Sequence, residues 1–276
     1  MRFEELTNDQ WKLLIPSIPP HASTGRPRAD DRSTVNGILY VLMSGCRWMD
    51  MPPKYGSYKT VWERHKKWSI KGIWKNIMNY LISRGYTSGL INIDDLSVDS
   101  STVPSKKGGK KYALIDGHER TNGSKIHVAV TRRSLPIVTT IGSGNEHESR
   151  KLIPLLNDIQ IRNNSGRPKS KPRCIWADTK YHTFLVLTYL YNRRIKTQIK
   201  ERSKNNNNNN NNTKAKQGRP KIFLYQYYKK VRSSVERFFG WLKSFRRVNT
   251  RYERLASTYL GFVQLGCIII LMRLFR

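Results

Sequence analysis

The chain of 276 residues carries 51 Lys+Arg against 19 Asp+Glu, giving a formal charge of +32 and a sequence pI near 10.4. Its 38% hydrophobic and 11% aromatic content can fill a sizeable core in one large domain or two smaller ones, which excludes a disordered tail or a small stapled scaffold. The charge exceeds what solubility needs and points to a polyanionic partner, nucleic acid first, although ribosomal and membrane-surface proteins are basic too.

Residues 1–85 read as helical. Asn8-Asp9 is placed to cap a short helix through Trp11, Leu14 and Ile15, stopped by Pro16. Asp30-Asp31 is placed to cap a second, with Val35, Ile38, Leu39 and Leu42 on one face and Gly45 at its end. A third is expected from Ser57 to Ser69, where Val61, His65 and Trp68 recur at helical spacing. Short helices with tight connections and basic outer faces suit a helix-turn-helix-like DNA-binding domain over 1–85, with a plain packing domain as the alternative.

Residues 86–276 change character. Leu90 to Ser100 alternates like a strand that ends on Asp99. Lys125–Val130 and Pro136–Ile141 read as two strands around an Arg132-Arg133-Ser134 turn. Ser149–Ile159 is expected to be a helix, Arg173 to Asp178 a short strand ending on an acid, Thr183–Asn192 a helix, and Ile195–Ile199 a further strand. Asn205 to Asn212 is a homopolymer run within a disordered Asn-rich insert near 202–218. Beyond it, Tyr225–Phe245 and Leu255–Leu274 have helical patterns. The succession predicts an α/β fold with a mixed sheet flanked by helices.

Cys46, Cys174 and Cys267 are far apart and form no C-x-x-C pair, so a disulfide framework is not expected. Met1 to Leu6 lacks a signal-peptide pattern, and Tyr259–Met272, at about 14 residues, reads as a buried helix rather than a span of roughly 20. The expected setting is cytoplasmic and reducing, at the nucleoid, with no membrane partner.

The basic excess is uneven. Residues 1–158 carry a net +9 and residues 159–276 a net +23, where the acids are only Asp178, Glu201, Glu236 and Glu253. Asp99 and Asp178 end expected strands, and ligand sites in open α/β sheets form outside strand carboxyl ends. Glu236 sits in a basic helix. Three converging carboxylates repel one another, and hard divalent cations compensate that charge with oxygen ligands. Two such ions suit in-line phosphoryl displacement. Each acid alone is as well explained by a cap or a salt bridge. On the helix, Arg232 lies about 40° from Glu236 and Lys243 about 20°, so the three share a face, either as a DNA-phosphate and metal site or as solvated ion pairs. Val235, Phe238, Phe239 and Leu242 form the opposite, apolar stripe.

These motifs resemble those of DDE transposases of bacterial insertion sequences, in the insertion-sequence-five branch. Leu6 to Trp11, Asn36 to Tyr40 and Ser44 to Trp48 are similar to that family's helical region. Val98-Asp99-Ser100-Ser101 resembles its first-Asp motif, and Trp176-Ala177-Asp178-Thr179-Lys180-Tyr181 its second. Gly123 to His127 and Gly144 to Ser149 resemble internal blocks, and Arg232 to Phe239 with Lys243 its Tyr-Arg-Glu-Lys signature. Two positions depart: Lys180 stands where Gly is usual, and Lys229 stands where the signature tyrosine would be, leaving Tyr228 or Tyr225 for that role.

The resemblance implies a ribonuclease-H-like catalytic domain over 86–276. Asp99, Asp178 and Glu236 would be its catalytic residues and metal ligands, holding two Mg²⁺ (or Mn²⁺) ions. The implied reaction is hydrolysis at element ends followed by strand transfer of the 3′-hydroxyl. Double-stranded DNA, as element ends and target, would be bound by a homodimer or larger assembly. Arg232, Lys243 and Lys229 would contact phosphates. Three Gly-Arg-Pro triplets offer Arg26, Arg167 and Arg219 as minor-groove arms, or plain basic loops. A metal-dependent nuclease without strand transfer, and a DNA-binding relic, remain open alternatives.

Overall fold

The structure, a computed structural model, describes residues 3–20, 23–24, 27–106, 113–114, 122–162, 168–201 and 224–275. The Asn run and Arg26, Arg167 and Arg219 of the Gly-Arg-Pro triplets lie outside the described residues.

Helix α1 (Asn8–Leu14) is capped one residue earlier than its Asn-Asp pair suggests. Thr7 Oγ1 accepts the Gln10 N–H while the Gln10 side chain accepts the Thr7 N–H, and this reciprocal capping box satisfies two end donors at once. Helix α2 (Asp31–Ser44) starts at Asp30, whose carboxylate accepts the Ser33 N–H, and stops at Gly45, whose φ of 73° a side chain would disfavour. Helices α3 (Tyr58–Ile70) and α4 (Ile73–Thr87) follow. Trp68 and Trp74 meet edge to face in the core, whereas Trp62 stays partly exposed.

Strands β1 (Asp95–Pro104), β2 (Ala113–Leu114), β3 (Asn122–Thr131), β4 (Pro136–Ser143), β5 (Cys174–Ala177) and β6 (Lys196–Ile199) form one mixed sheet. Strand β1 lies between β3, antiparallel, and β5, parallel; β4 pairs the far side of β3, β6 pairs β5 in parallel, and β2 joins the start of β3. Helices α5 (Ser149–Asn157) and α6 (Phe184–Asn192) alternate with these strands. Helix α7 (Tyr225–Lys243) packs across β1, β3 and β5 and buries its Val235, Phe238, Phe239 and Leu242 stripe. A short α8 (Arg246–Asn249) leads into α9 (Ala256–Met272). A helical region preceding a sheet flanked by helices is the expected ribonuclease-H-like arrangement.

Helix α9 is apolar on nearly every side because it packs against α3, α4 and β4 within one core that runs from Leu6 to Met272. With its 3₁₀ extension it covers Ala256–Phe275, long and apolar enough to cross a membrane by length and composition, which exceeds the 14 residues expected. Its burial among the N-terminal helices accounts for that character. Gly261 makes the closest approach: a Cβ there would collide with Ser69 Oγ and stand 3.0 Å from the His65 ring. We expect Gly261→Ala to cost about 1–3 kcal/mol by overpacking, read in urea unfolding; an unchanged midpoint would show that α3 yields freely.

His65 is buried against Phe262, with ring centroids 4.2 Å apart, and its Nε2–H donates to the Thr258 carbonyl at 3.0 Å. Burial pushes its pKa down to about 3. A histidine that is neutral when folded and cationic when unfolded stabilises the fold above about pH 6.5 and costs stability as pH falls towards its folded value. Replacing it by Phe is expected to flatten the acid side of the stability profile by about 1.4 kcal/mol per pH unit between roughly pH 6 and 5. Parallel wild-type and variant profiles in that window would contradict this.

Candidate active site

Asp178 follows the last residue of β5, as its motif suggests. Asp99 does not end its strand. Strand β1 runs five residues further because β3 continues to pair with it, out to Pro104 opposite Gly123. Its other neighbour stops sooner: β5 ends at Ala177, opposite Val98. Asp99 is therefore the first residue of β1 beyond the end of β5, and the missing pairing partner leaves room for the turn that carries Asp178.

The two aspartates meet at Arg232 of α7. Its Nη2 donates to Asp99 Oδ2 at 3.1 Å, and its Nη1 stands 3.8 Å from Asp178 Oδ1 without making a hydrogen bond. Each carboxylate also accepts the N–H of the residue that follows it: Asp99 Oδ1 from Ser100 at 2.8 Å within β1, and Asp178 Oδ1 from Thr179 at 2.7 Å in the turn after β5. Burial raises the Asp99 pKa above the usual carboxylate range; Arg232 and the Ser100 N–H oppose that rise, and the charges of Asp178 and Glu148 add to it. The site is thus two acids under electrostatic strain, partly relieved by one guanidinium.

Of the two tyrosines that the sequence offers, Tyr228 is the one beside Arg232. It is buried four residues before Arg232, one helical turn away, where it touches the guanidinium and donates to the Ala177 carbonyl at 3.4 Å. Tyr225 is half exposed, with Lys229 over its ring at 4.7 Å. Lys229 thus sits on the outer side of α7, and Lys243 lies partly exposed at its end.

Glu236 is not drawn into the cluster. It is exposed one turn beyond Arg232 and meets no hydrogen-bond or ion-pair partner among the described residues. No three His, Cys, Asp or Glu side chains among the described residues stand close enough to share a metal ion, so the expected three-carboxylate cluster is not formed here. The guanidinium of Arg232, four residues earlier on α7, rather than a third carboxylate, stands beside Asp99 and Asp178. The donor set of these two fits a hard divalent cation, since both offer carboxylate oxygens and their shared negative charge already draws a cation beside them.

A third acid near the pair was not singled out from sequence. Glu148, at the N-terminus of α5, is buried and takes Lys180 Nζ at 3.3 Å and Lys125 Nζ at 3.5 Å on the same oxygen. Lys180, where the family pattern has glycine, is therefore held over Glu148 beside Asp178, with most of its side chain in solvent. Glu148 and Lys180 are 32 residues apart, and no local spacing could have paired them. Burial with the charges of Asp99 and Glu148 holds the Tyr181 hydroxyl far above its ordinary range, as a neutral wall of the site.

The mixed sheet thus brings two aspartates to one helix arginine. The family described as "Transposase DDE domain" matches residues 92–272, and the one described as "Putative transposase of IS4/5 family" matches residues 6–78. The chain belongs to the DDE transposases and is related to the IS402 and IS4/5 insertion sequences. It is 30% identical over 113 residues to the insertion element IS402 uncharacterized 16.2 kDa protein of Burkholderia cepacia, covering 38% of this chain and 77% of that one. It is 29% identical over 149 residues to the putative transposase for insertion sequence element IS402 of the same organism, covering 54% of this chain and 62% of that one. Among solved structures, the piggyBac transposase synaptic complex with hairpin DNA aligns with a TM-score of 0.51 at 11% identity, over 93% of this chain and 69% of that one, a likeness of fold.

Proposed function

We propose that this protein cuts element ends and joins them to target DNA, with Asp99 and Asp178 as the central metal-binding acids. The observation that carries the reading is the convergence of these two carboxylates on Arg232 at the point where β5 ends. Bound divalent ions, Mg²⁺ or Mn²⁺, would polarise the attacking water or 3′-hydroxyl and offset charge on the leaving oxygen.

The chain's own groups do the remaining work. Asp99 and Asp178 provide hard oxygen donors from a rigid strand and a capped turn. Glu236 is the third acid in this reading; it shares the Arg232 face of α7 and is free to turn towards the pair. Arg232, whose Nη1 has no hydrogen-bond partner, would offer a donor to a phosphate oxygen at the site. Lys180, Lys243 and Lys229 supply further positive charge for the backbone, as would Arg26, Arg167 and Arg219 on their arms. Action as a homodimer or larger assembly on DNA, in the cytoplasm at the nucleoid, belongs to the same proposal.

The decisive experiment is incubation with Mg²⁺ and labelled duplex carrying the element end. Joined products support the full reading. Nicks alone would reduce it to a nuclease. Neither product, with Asp99→Ala binding DNA as tightly as wild type, would leave only a DNA-binding relic.

A further inference from the structure

A wide cavity lies away from the aspartate pair. It has a volume of about 930 Å³ at the starts of β1, β5 and β6, and it joins a second of about 750 Å³ through shared Asp94 and Arg173. Along this double groove stand six exposed cations: Arg132, Arg133, Lys171, Arg173, Arg194 and Lys196. Only two acids line it, and both are engaged. Asp95 takes Arg132 at 2.8 Å and the Trp176 Nε1–H at 3.1 Å, while Asp94 takes Lys169 at 3.2 Å. The other five exposed cations meet no carboxylate among the described residues.

The aromatic groups here are not a platform for bases. Tyr227 of α7 is already occupied, packed at a tilt against Trp176 with centroids 4.9 Å apart and carrying Arg132 4.4 Å over its ring. Trp176 itself is buried. What the groove presents is positive charge without a stacking surface, which suits a phosphodiester backbone rather than unpaired bases.

Its position relates it to the catalytic pair. Asp95 and Asp99 lie on the same face of β1, four residues apart, or roughly 13 Å at about 3.3 Å per residue. Helix α7 runs between the two places, with Tyr227 at the groove and Arg232 at the aspartates. At about 3.4 Å per base pair, a duplex engaged at Asp99 and Asp178 would reach the groove about four base pairs away.

We propose that this groove is a second, sequence-independent DNA-backbone tract, holding duplex beyond the reacting phosphate. The identity of the polyanion rests on the transposase reading above. The tract also gives a location to part of the basic excess after residue 158, since Lys171, Arg173, Arg194 and Lys196 all belong to it.

The test uses full-length protein and blunt duplex DNA of mixed sequence, with affinity measured from 50 to 200 mM salt. The variant is Arg173→Ala with Lys196→Ala, two exposed side chains outside the catalytic cluster. Removal of two phosphate contacts is expected to reduce the slope of log affinity against log salt by about two. Over that fourfold salt range the wild type would then lose about tenfold more affinity than the variant. An unchanged slope and affinity overturns the tract and leaves the catalytic reading intact. Failure of the wild type to bind duplex at all overturns both.

Discussion

Asp99→Asn is expected to lower DNA cleavage by about three orders of magnitude or more while leaving duplex binding intact, because it removes charge from the reaction centre and not from the phosphate-binding cations. The same substitution is expected to stabilise the fold. The folded-state pKa of Asp99 is raised above its ordinary 3.8, chiefly by burial. A carboxyl raised in this way favours the folded state when protonated, so its contribution falls as pH climbs from about 3.8 through the folded value, and the penalty persists above it. Asparagine has no proton to lose and escapes the penalty. Stability profiles of wild type and variant should therefore diverge over that window and stay apart at neutral pH, with the variant higher. A variant that cleaves at the wild-type rate would remove Asp99 from the mechanism. One that is inactive but less stable at neutral pH would mean that Arg232 more than repays the cost of burying the charge.

Arg251→Met is expected to cost about 3–5 kcal/mol, the largest single stability effect we anticipate. Arg251 is fully buried, and its guanidinium donates to Ser124 Oγ at 2.6 Å, to the Glu253 carbonyl at 2.9 Å and to the Arg254 carbonyl at 3.2 Å. Its backbone pairs with the end of β1, donating to the Pro104 carbonyl at 3.0 Å. One residue thus fastens the connection between α8 and α9 to the margin of the sheet. Methionine would fill much of the volume but satisfy none of those acceptors, and would leave Glu253, buried beside Arg247 at 3.6 Å, with less compensation. At 2–4 °C per kcal/mol for a domain of this size, the melting temperature should fall by roughly 10 °C. A loss under about 1 kcal/mol would show that water replaces the guanidinium.

The acids of the basic half show how far sequence reading reaches. Their scarcity made Asp178, Glu236 and Glu253 worth locating, and Asp178 follows its strand as its apolar run implied. Nothing local distinguished Glu253, which pairs with Arg247 in the core, from Glu236, which is exposed. Burial is set by the path of the chain after α7, and helical periodicity does not extend through that turn. The alternation from Leu90 to Ser100 suggests a strand ending on Asp99, whereas β1 runs from Asp95 to Pro104 on backbone pairing with β3, which side-chain pattern does not record.

By itself the sequence determined most of the element order, though not α4, β2 or α8, together with the apolar faces of α2 and α7, the family resemblance and the two aspartate motifs, because these depend on residues close together in the chain. Tertiary structure decided that Arg232 stands beside Asp99 and Asp178, that Tyr228 rather than Tyr225 supports it, and that Glu148 anchors Lys180. It also decided that Glu236 is exposed and that α9 lies buried among the N-terminal helices. Each of those is a charge or contact balance between segments far apart in sequence, and only the folded chain brings them close enough to interact.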